Sequence, residues 1–88
     1  MITSGQVRAA RALLGIDQRQ LAERAGVSLP TIQRMEASDG VVRGIVDTLM
    51  KVIDALESDG IELIGDNRPS AGGGRGVRLR APTPRASA

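Results

Sequence analysis

Residues 17–37, DQRQLAERAGVSLPTIQRMEA, decide the fold, and their pattern predicts two short helices joined by a tight turn. Asp17 and Ser28 are each suited to begin a helix, because their side-chain oxygens accept hydrogen bonds from free amides of the first turn. Pro30 falls in the first turn of the second helix, where its missing N–H costs no hydrogen bond. Gly26 supplies the left-handed conformation that ends the first helix.

The apolar positions of this stretch predict how the two helices pack. Ala22 is small enough for the second helix to cross close by, and Ile32 fills the angle between the helices. Ile32 and Met35 are expected to face the core, which leaves Gln33 and Arg34 on the outer surface. Two helices that cross at a short turn in this way form a helix-turn-helix.

Residues 20–36, QLAERAGVSLPTIQRME, resemble the Xre/Cro family of lambda-repressor-like DNA-binding domains. The resemblance includes Gln18 at the start of the first motif helix and Glu36 at the end of the second, and it covers roughly residues 3–58. It implies a sequence-specific transcriptional regulator whose partner is double-stranded DNA.

The flanking sequence predicts an all-α fold, a compact unit of four helices with a fifth left open. A first helix begins at Thr3, which forms a capping box with Gln6, and ends at Gly15. A fourth helix is expected over residues 44–57. The apolar face of the first helix comprises Val7, Ala10, Leu13 and Leu14, with Arg8 and Arg11 on the solvated side; that of the fourth comprises Ile45, Leu49, Val52, Ile53 and Leu56.

The C-terminal third predicts a two-stranded β extension. Residues 61–64 and 77–80 alternate apolar and polar, and a glycine-rich connection separates them. The apolar side of such a ribbon needs cover, either from the helical domain or from the same ribbon of a second subunit. We expect a helix-turn-helix domain over 1–59, a β-ribbon over 60–80 and a disordered tail over 81–88. The candidate dimerisation residues are Ile61, Leu63, Val77 and Leu79.

The candidate DNA contacts follow from the geometry of the motif, in which the second helix places its first turns against base edges in the major groove. The base contacts are predicted at Leu29, Pro30, Thr31, Gln33 and Arg34. Arg34 is suited to guanine, Gln33 to adenine, and the Leu29 or Thr31 carbons to the thymine methyl group. Family members often carry polar residues where Leu29 and Pro30 stand, so Gln33 and Arg34 carry most of the expected recognition.

Phosphate contacts are predicted at Gln18 and Ser28 from the family pattern, and at Arg19 and Arg43 from their charge. Arg43 precedes the fourth helix, whose N-terminal amides would help to bind a phosphate. Simple solvation is the alternative for Gln33, Arg34 and Arg43 alike. Arg78 and Arg80 would either bind the DNA backbone or keep an edge strand soluble; solubility and pairing are favoured slightly.

The composition excludes several classes of function. The chain has no aromatic residue, no cysteine and no histidine, so a disulfide framework, the usual zinc ligands and the commonest general base are missing. We expect no enzyme activity, no metal and no cofactor. No apolar run approaches the roughly 20 residues of a membrane span. The expectation is a cytoplasmic protein of bacterial or phage type, associated with the nucleoid and not with a membrane.

Charge is distributed unevenly along the 88 residues. Residues 1–66 hold seven basic and ten acidic side chains, a net charge of −3, whereas residues 67–88 hold five arginines and no acid, a net charge of +5. The expected function is a repressor that binds a palindromic operator as a homodimer. The alternative is a protein-interaction module, an antitoxin or antiactivator, that keeps this fold and contacts a protein partner through its C-terminal segment.

Overall fold

The structure, a computed structural model, describes residues 2–38, 46–65 and 73–80. The elements in chain order are α1 (Ser4–Leu14), α2 (Gln18–Ala25), α3 (Leu29–Ala37), α4 (Val46–Ser58), β1 (Ile61–Ile64) and β2 (Gly76–Leu79). The predicted fold class, four helices with a C-terminal two-stranded extension, is confirmed. None of the helices in the described ranges is long and apolar enough to cross a membrane.

The helix boundaries lie where the capping residues predict them. Thr3 and Asp17 each form a complete capping box, with Gln6 and Gln20 respectively. The Ser28 side chain accepts a hydrogen bond from the backbone N–H of Thr31 at the start of α3. These caps satisfy amides that have no partner within a helix, so local sequence alone sets three helix starts.

The core is formed by the apolar faces of the four helices. Its largest fully buried side chains are Val7, Leu21, Ile32, Val52, Leu56 and Ile61. The prediction that Leu13 belongs to this core was wrong, because its side chain is 46% exposed. Leu13 lies about 60° beyond Ala10 around α1, past the edge of the buried face. Ile45 and the predicted start of the fourth helix at residue 44 lie outside the described residues.

The β-ribbon packs on its own helical unit. Ile61 pairs with Leu79 and Leu63 with Val77 in an antiparallel register, so the four apolar side chains share one face. Ile61 is completely buried, and Leu63 and Val77 pack against the core. The sequence left two possibilities for burying the apolar side of the ribbon. Within the described residues, the helical domain buries it.

Gln6 attaches the ribbon to α1. Its side-chain amide donates to the backbone oxygens of Ile64 and Gly76, both at 2.9 Å, and these two residues form the last pair of the ladder. At the other end of the ribbon, Arg80 Nη2 donates to the backbone oxygen of Glu57 in α4 at 3.1 Å. The ribbon is thus held at both ends to the helical unit.

Candidate nucleic-acid interface

The turn between α2 and α3 is set by Gly26. Its backbone is left-handed, with φ of 71°, and its N–H donates to the Glu23 oxygen at 3.3 Å. The next N–H, that of Val27, donates to the Ala22 oxygen at 3.0 Å. These bonds close α2 and direct the chain at once into Ser28 and α3, which produces the two-helix geometry predicted from the sequence.

The inner face of α3 fixes which side chains point outward. Ile32 is fully buried and Met35 is 6% exposed, so both face the core as predicted. On the opposite side, Gln33 and Arg34 are exposed. Because residues on one helical face recur every three or four positions, burial of Ile32 and Met35 leaves the intervening pair facing solvent. Pro30 is also exposed, while Leu29 and Thr31 are half-buried.

A short chain of hydrogen bonds runs along the outer side of α3. The Ser28 hydroxyl and the Thr31 hydroxyl lie 2.8 Å apart, and Arg34 Nη2 donates to Thr31 Oγ1 at 3.4 Å. Arg34 therefore leans towards the helix N-terminus, and most of its five donors bind nothing among the residues that the structure describes. Gln33 makes no hydrogen bond or ion pair within the described residues, so its amide is available to both a donor and an acceptor.

A buried carboxylate holds the C-terminal end of α3. The Glu36 side chain, only 4% exposed, receives two hydrogen bonds from Arg11, with Nε to Oε2 and Nη2 to Oε1 both at 2.9 Å. Gln18 Nε2 donates to Glu36 Oε1 at 3.1 Å. Arg8 donates to the Glu36 backbone oxygen. This Glu36 cluster, comprising Arg8, Arg11, Gln18 and Glu36, joins α1, α2 and α3.

The Glu36 cluster corrects the expectation that Arg11 lies on the solvated side of α1, because its side chain is half-buried against Glu36; Arg8 is exposed as expected, although it also donates to the Glu36 backbone. Sequence periodicity places them outside the apolar face, but it gives no sign that the end of α3 arrives there. The pKa of Arg11 is raised above its usual value, chiefly because its side chain hydrogen-bonds Glu36. Every buried side-chain nitrogen and oxygen in the described ranges has a partner.

The predicted phosphate contacts have different surroundings. Arg19 is exposed and makes no ion pair within the described part of the chain. Gln18 is half-buried with its amide on Glu36, so its carbonyl oxygen is engaged in no bond among these residues. Ser28 is exposed, with its hydroxyl on Thr31. Arg43 lies outside the described residues.

The predicted dimerisation residues also differ in exposure. Ile61 is fully buried, and Leu63 and Val77 are half-buried against the core, whereas Leu79 is 43% exposed. Two further exposed apolar side chains, Val46 and Met50, stand one turn apart on α4. No periodicity in the sequence predicted these α4 residues as a surface feature, because they flank the buried face of the same helix.

The acidic side chains in the described ranges form no cluster suited to a metal ion. A family model for helix-turn-helix domains matches residues 7–44, which span all but the first three residues of α1, the whole of α2 and α3, and the segment that follows. No curated protein matches the chain.

Proposed function

We propose that this chain, whose residues 7–44 match the family model for helix-turn-helix domains, is a DNA-binding transcription regulator of the Xre/Cro family, and specifically a repressor that binds a palindromic operator as a homodimer. The single observation that carries the proposal is the division of α3, with Ile32 and Met35 buried and Gln33 and Arg34 exposed. A short helix held in this way can insert its outer side into the major groove.

Base recognition rests on Gln33 and Arg34. The Arg34 guanidinium fits the two acceptors of a guanine, and the free amide of Gln33 fits the donor and acceptor of an adenine. Leu29, Pro30 and Thr31 add carbon surface beside them, which suits contact with a thymine methyl group. The bond from Arg34 to Thr31 stabilises one orientation of the guanidinium before DNA arrives, and this reduces the entropy lost on binding.

Phosphate contacts on either side of the groove would come from Gln18, Arg19 and Ser28, with Arg43 as a further contact. Gln18 links two functions, because its amide bonds to Glu36 while its carbonyl oxygen remains free to accept a hydrogen bond from water or a bound group. Gln18 would then hold the start of α2 in position beside the phosphate, and Arg19 would supply the charged contact to it.

The proposed dimer is compatible with the size of the unit. The chain measures 36 × 33 × 21 Å, so two copies side by side would set their α3 helices roughly one DNA turn, about 34 Å, apart. The exposed Leu79 is the member of the predicted ribbon set that offers apolar surface to a second copy. Occupation of a promoter by such a dimer would exclude polymerase and repress transcription.

Selection of bound sequences from random DNA tests the proposal. We expect an enriched sequence with twofold symmetry and half-sites about 10 base pairs apart. On that site, Arg34→Ala should lose about 1–3 kcal/mol of binding free energy and relax the preference at one base pair.

Arg19→Ala is the matched control for Arg34→Ala. It removes the same type of side chain from α2, where a phosphate contact is expected. It should therefore weaken binding equally on all sequences and reduce the slope of log affinity against log salt concentration by about 0.9. If no sequence is enriched, the regulator function is refuted. If both variants keep the wild-type sequence profile, Arg34 does not read a base.

A further inference from the structure

Helix α4 carries more apolar surface than the core uses. Leu49, Val52 and Leu56 are buried and form its inner face. Val46 and Met50 lie about 100° around the helix from that face, and they are 69% and 47% exposed. A surface helix of a globular protein ordinarily has polar residues outside one apolar stripe. Helix α4 therefore has a second apolar face that the described part of the chain leaves largely exposed.

The spacing of this second face is that of a seam along which two helices pack. Val46, Met50 and the half-buried Ile53 recur at intervals of four and three residues. Apolar residues at these alternating intervals line the side of a helix that contacts a second helix along its length. Leu13, an exposed leucine of α1, has no large exposed apolar neighbour one turn away, and single residues of that kind are normal on protein surfaces. The α4 seam is thus a continuous surface, whereas Leu13 is not.

Two carboxylates border the seam. Asp47 and Asp54 directly follow the seam residues Val46 and Ile53, and both are exposed. Within the described residues, neither side chain makes a hydrogen bond or an ion pair. Lys51, the basic residue of α4, lies farther around the helix from the seam and pairs with neither of them. A helix that packed on the seam would therefore meet unpaired negative charge along this edge.

Charge distinguishes between two occupants of the seam. If two copies of α4 paired in antiparallel, Asp47 of one copy would lie opposite Asp54 of the other, and like charges at such flanking positions oppose pairing. Lysine or arginine at the flanking positions of a different helix would face both carboxylates. Glu57 continues the seam, but Arg80 Nη2 binds its backbone oxygen at 3.1 Å, so Asp47 and Asp54 are the determining charges. The seam therefore fits a basic partner and disfavours a second copy.

We propose that Val46, Met50 and Ile53 form a docking face for an amphipathic, positively charged helix of a partner protein. The partner helix places its apolar side chains on the seam and its lysine or arginine side chains opposite Asp47 and Asp54. Burial of the apolar side chains supplies affinity, and the charge pairs along the edge select the partner. None of the predicted DNA contacts belongs to this face, so the inference does not depend on the proposed function.

The test measures the binding of two synthetic helical peptides to the full chain. Each peptide has about 21 residues, or three heptads, with leucine at the seam positions; one carries lysine and the other glutamate at the flanking positions. The like charges within each peptide also oppose its pairing with itself. Fluorescence anisotropy of the labelled peptides at low salt gives both affinities. The lysine peptide should bind at least about tenfold more tightly than the glutamate peptide, because attractive charge pairs replace repulsive ones.

Variants of the chain locate the binding on α4. Val46→Gln/Met50→Gln should weaken binding of the lysine peptide at least about tenfold, whereas the matched control Leu13→Gln should leave it unchanged. Asp47→Lys/Asp54→Lys should reverse the preference in favour of the glutamate peptide. All of these substitutions change exposed side chains, and circular dichroism checks that each variant is folded.

Several results would overturn the proposal. Equal binding of the two peptides to wild type, or no binding of either, contradicts it without any variant. Binding of the lysine peptide that survives in folded Val46→Gln/Met50→Gln contradicts it as well. If that variant instead loses self-association in sedimentation without peptide, a second copy occupies the seam and the partner helix is refuted.

Discussion

Replacing Arg11 by methionine tests whether the Glu36 cluster holds α3 in place. Methionine keeps the aliphatic stem of the side chain but removes both hydrogen bonds to the carboxylate. Glu36, 4% exposed, would then lose its charged partner and retain the Gln18 amide as its remaining side-chain partner in the described structure. Because the Arg11 side chain is itself 25% exposed, the loss should lie near the lower end of the about 3–5 kcal/mol that breaking a buried pair costs.

The size of that cost can be judged against a matched pair on the same protein. Arg24 and Asp59 approach to 2.6 Å, closer than the 2.9 Å of Arg11 and Glu36, but their side chains are 45% and 31% exposed. Arg24→Met should therefore cost only about 0.2–1 kcal/mol, because water replaces the lost partner. Burial, and not the distance between the charged atoms, decides which substitution is severe.

Urea unfolding followed by circular dichroism at the helix band is the suitable assay, because the chain has no aromatic residue for fluorescence. A small domain has a total stability near the lower end of about 5–15 kcal/mol, so Arg11→Met should leave it close to unfolding at room temperature. Adding Glu36→Gln to that variant should restore most of the loss, because an amide tolerates burial better than an unpaired carboxylate.

Two results would refute the reasoning. If Arg11→Met lowers the free energy of unfolding no more than Arg24→Met does, then burying the Glu36 carboxylate does not require its ion pair with Arg11. If the double variant is less stable than Arg11→Met alone, the cost comes from lost packing and not from a stranded charge.

Further predictions concern the backbone, the ribbon and self-association. Gly26→Ala should lower the free energy of unfolding by about 1–2 kcal/mol through its left-handed backbone alone, since a Cβ there meets nothing within 4 Å. Gly5→Ala inside α1 should raise it by about 0.5–1 kcal/mol. Thermal unfolding measures both, and equal effects would contradict the argument. Gln6→Leu should cost about 1–3 kcal/mol and speed amide exchange in β2, because it leaves two ribbon carbonyls without their donor; unchanged exchange would argue against this attachment. Leu79→Ser should weaken self-association in sedimentation while Met50→Ser does not, and the reverse result would move the dimer contact to α4.

The local parts of the fold were predictable because local chemistry determines them. Thr3, Asp17 and Ser28 begin helices by bonding to amides within three residues, so their roles are visible in sequence. Burial of Ile32 and Met35 followed from helical periodicity. In each case, the information lies within a few positions along the chain.

The contacts that sequence reasoning missed join distant residues. Arg11 meets Glu36 across 25 positions and Gln6 meets Gly76 across 70, and neither spacing has a periodic signal. Such contacts depend on how α1 crosses α3 and on where the ribbon returns, which are properties of the assembled fold. The periodic pattern of apolar residues predicts that these elements pack together, but it does not predict which polar side chains meet at the edges of the packed faces.

The complete burial of Ile61 has a consequence for protein engineering. A fusion or graft that carried only residues 7–44, the portion matched by the family model, would discard a side chain at the centre of the core. The same fragment would also discard both Gln6 and the ribbon carbonyls that Gln6 binds. A DNA-binding fragment of this protein must therefore extend through Leu79, and a fusion partner is best attached after the last strand.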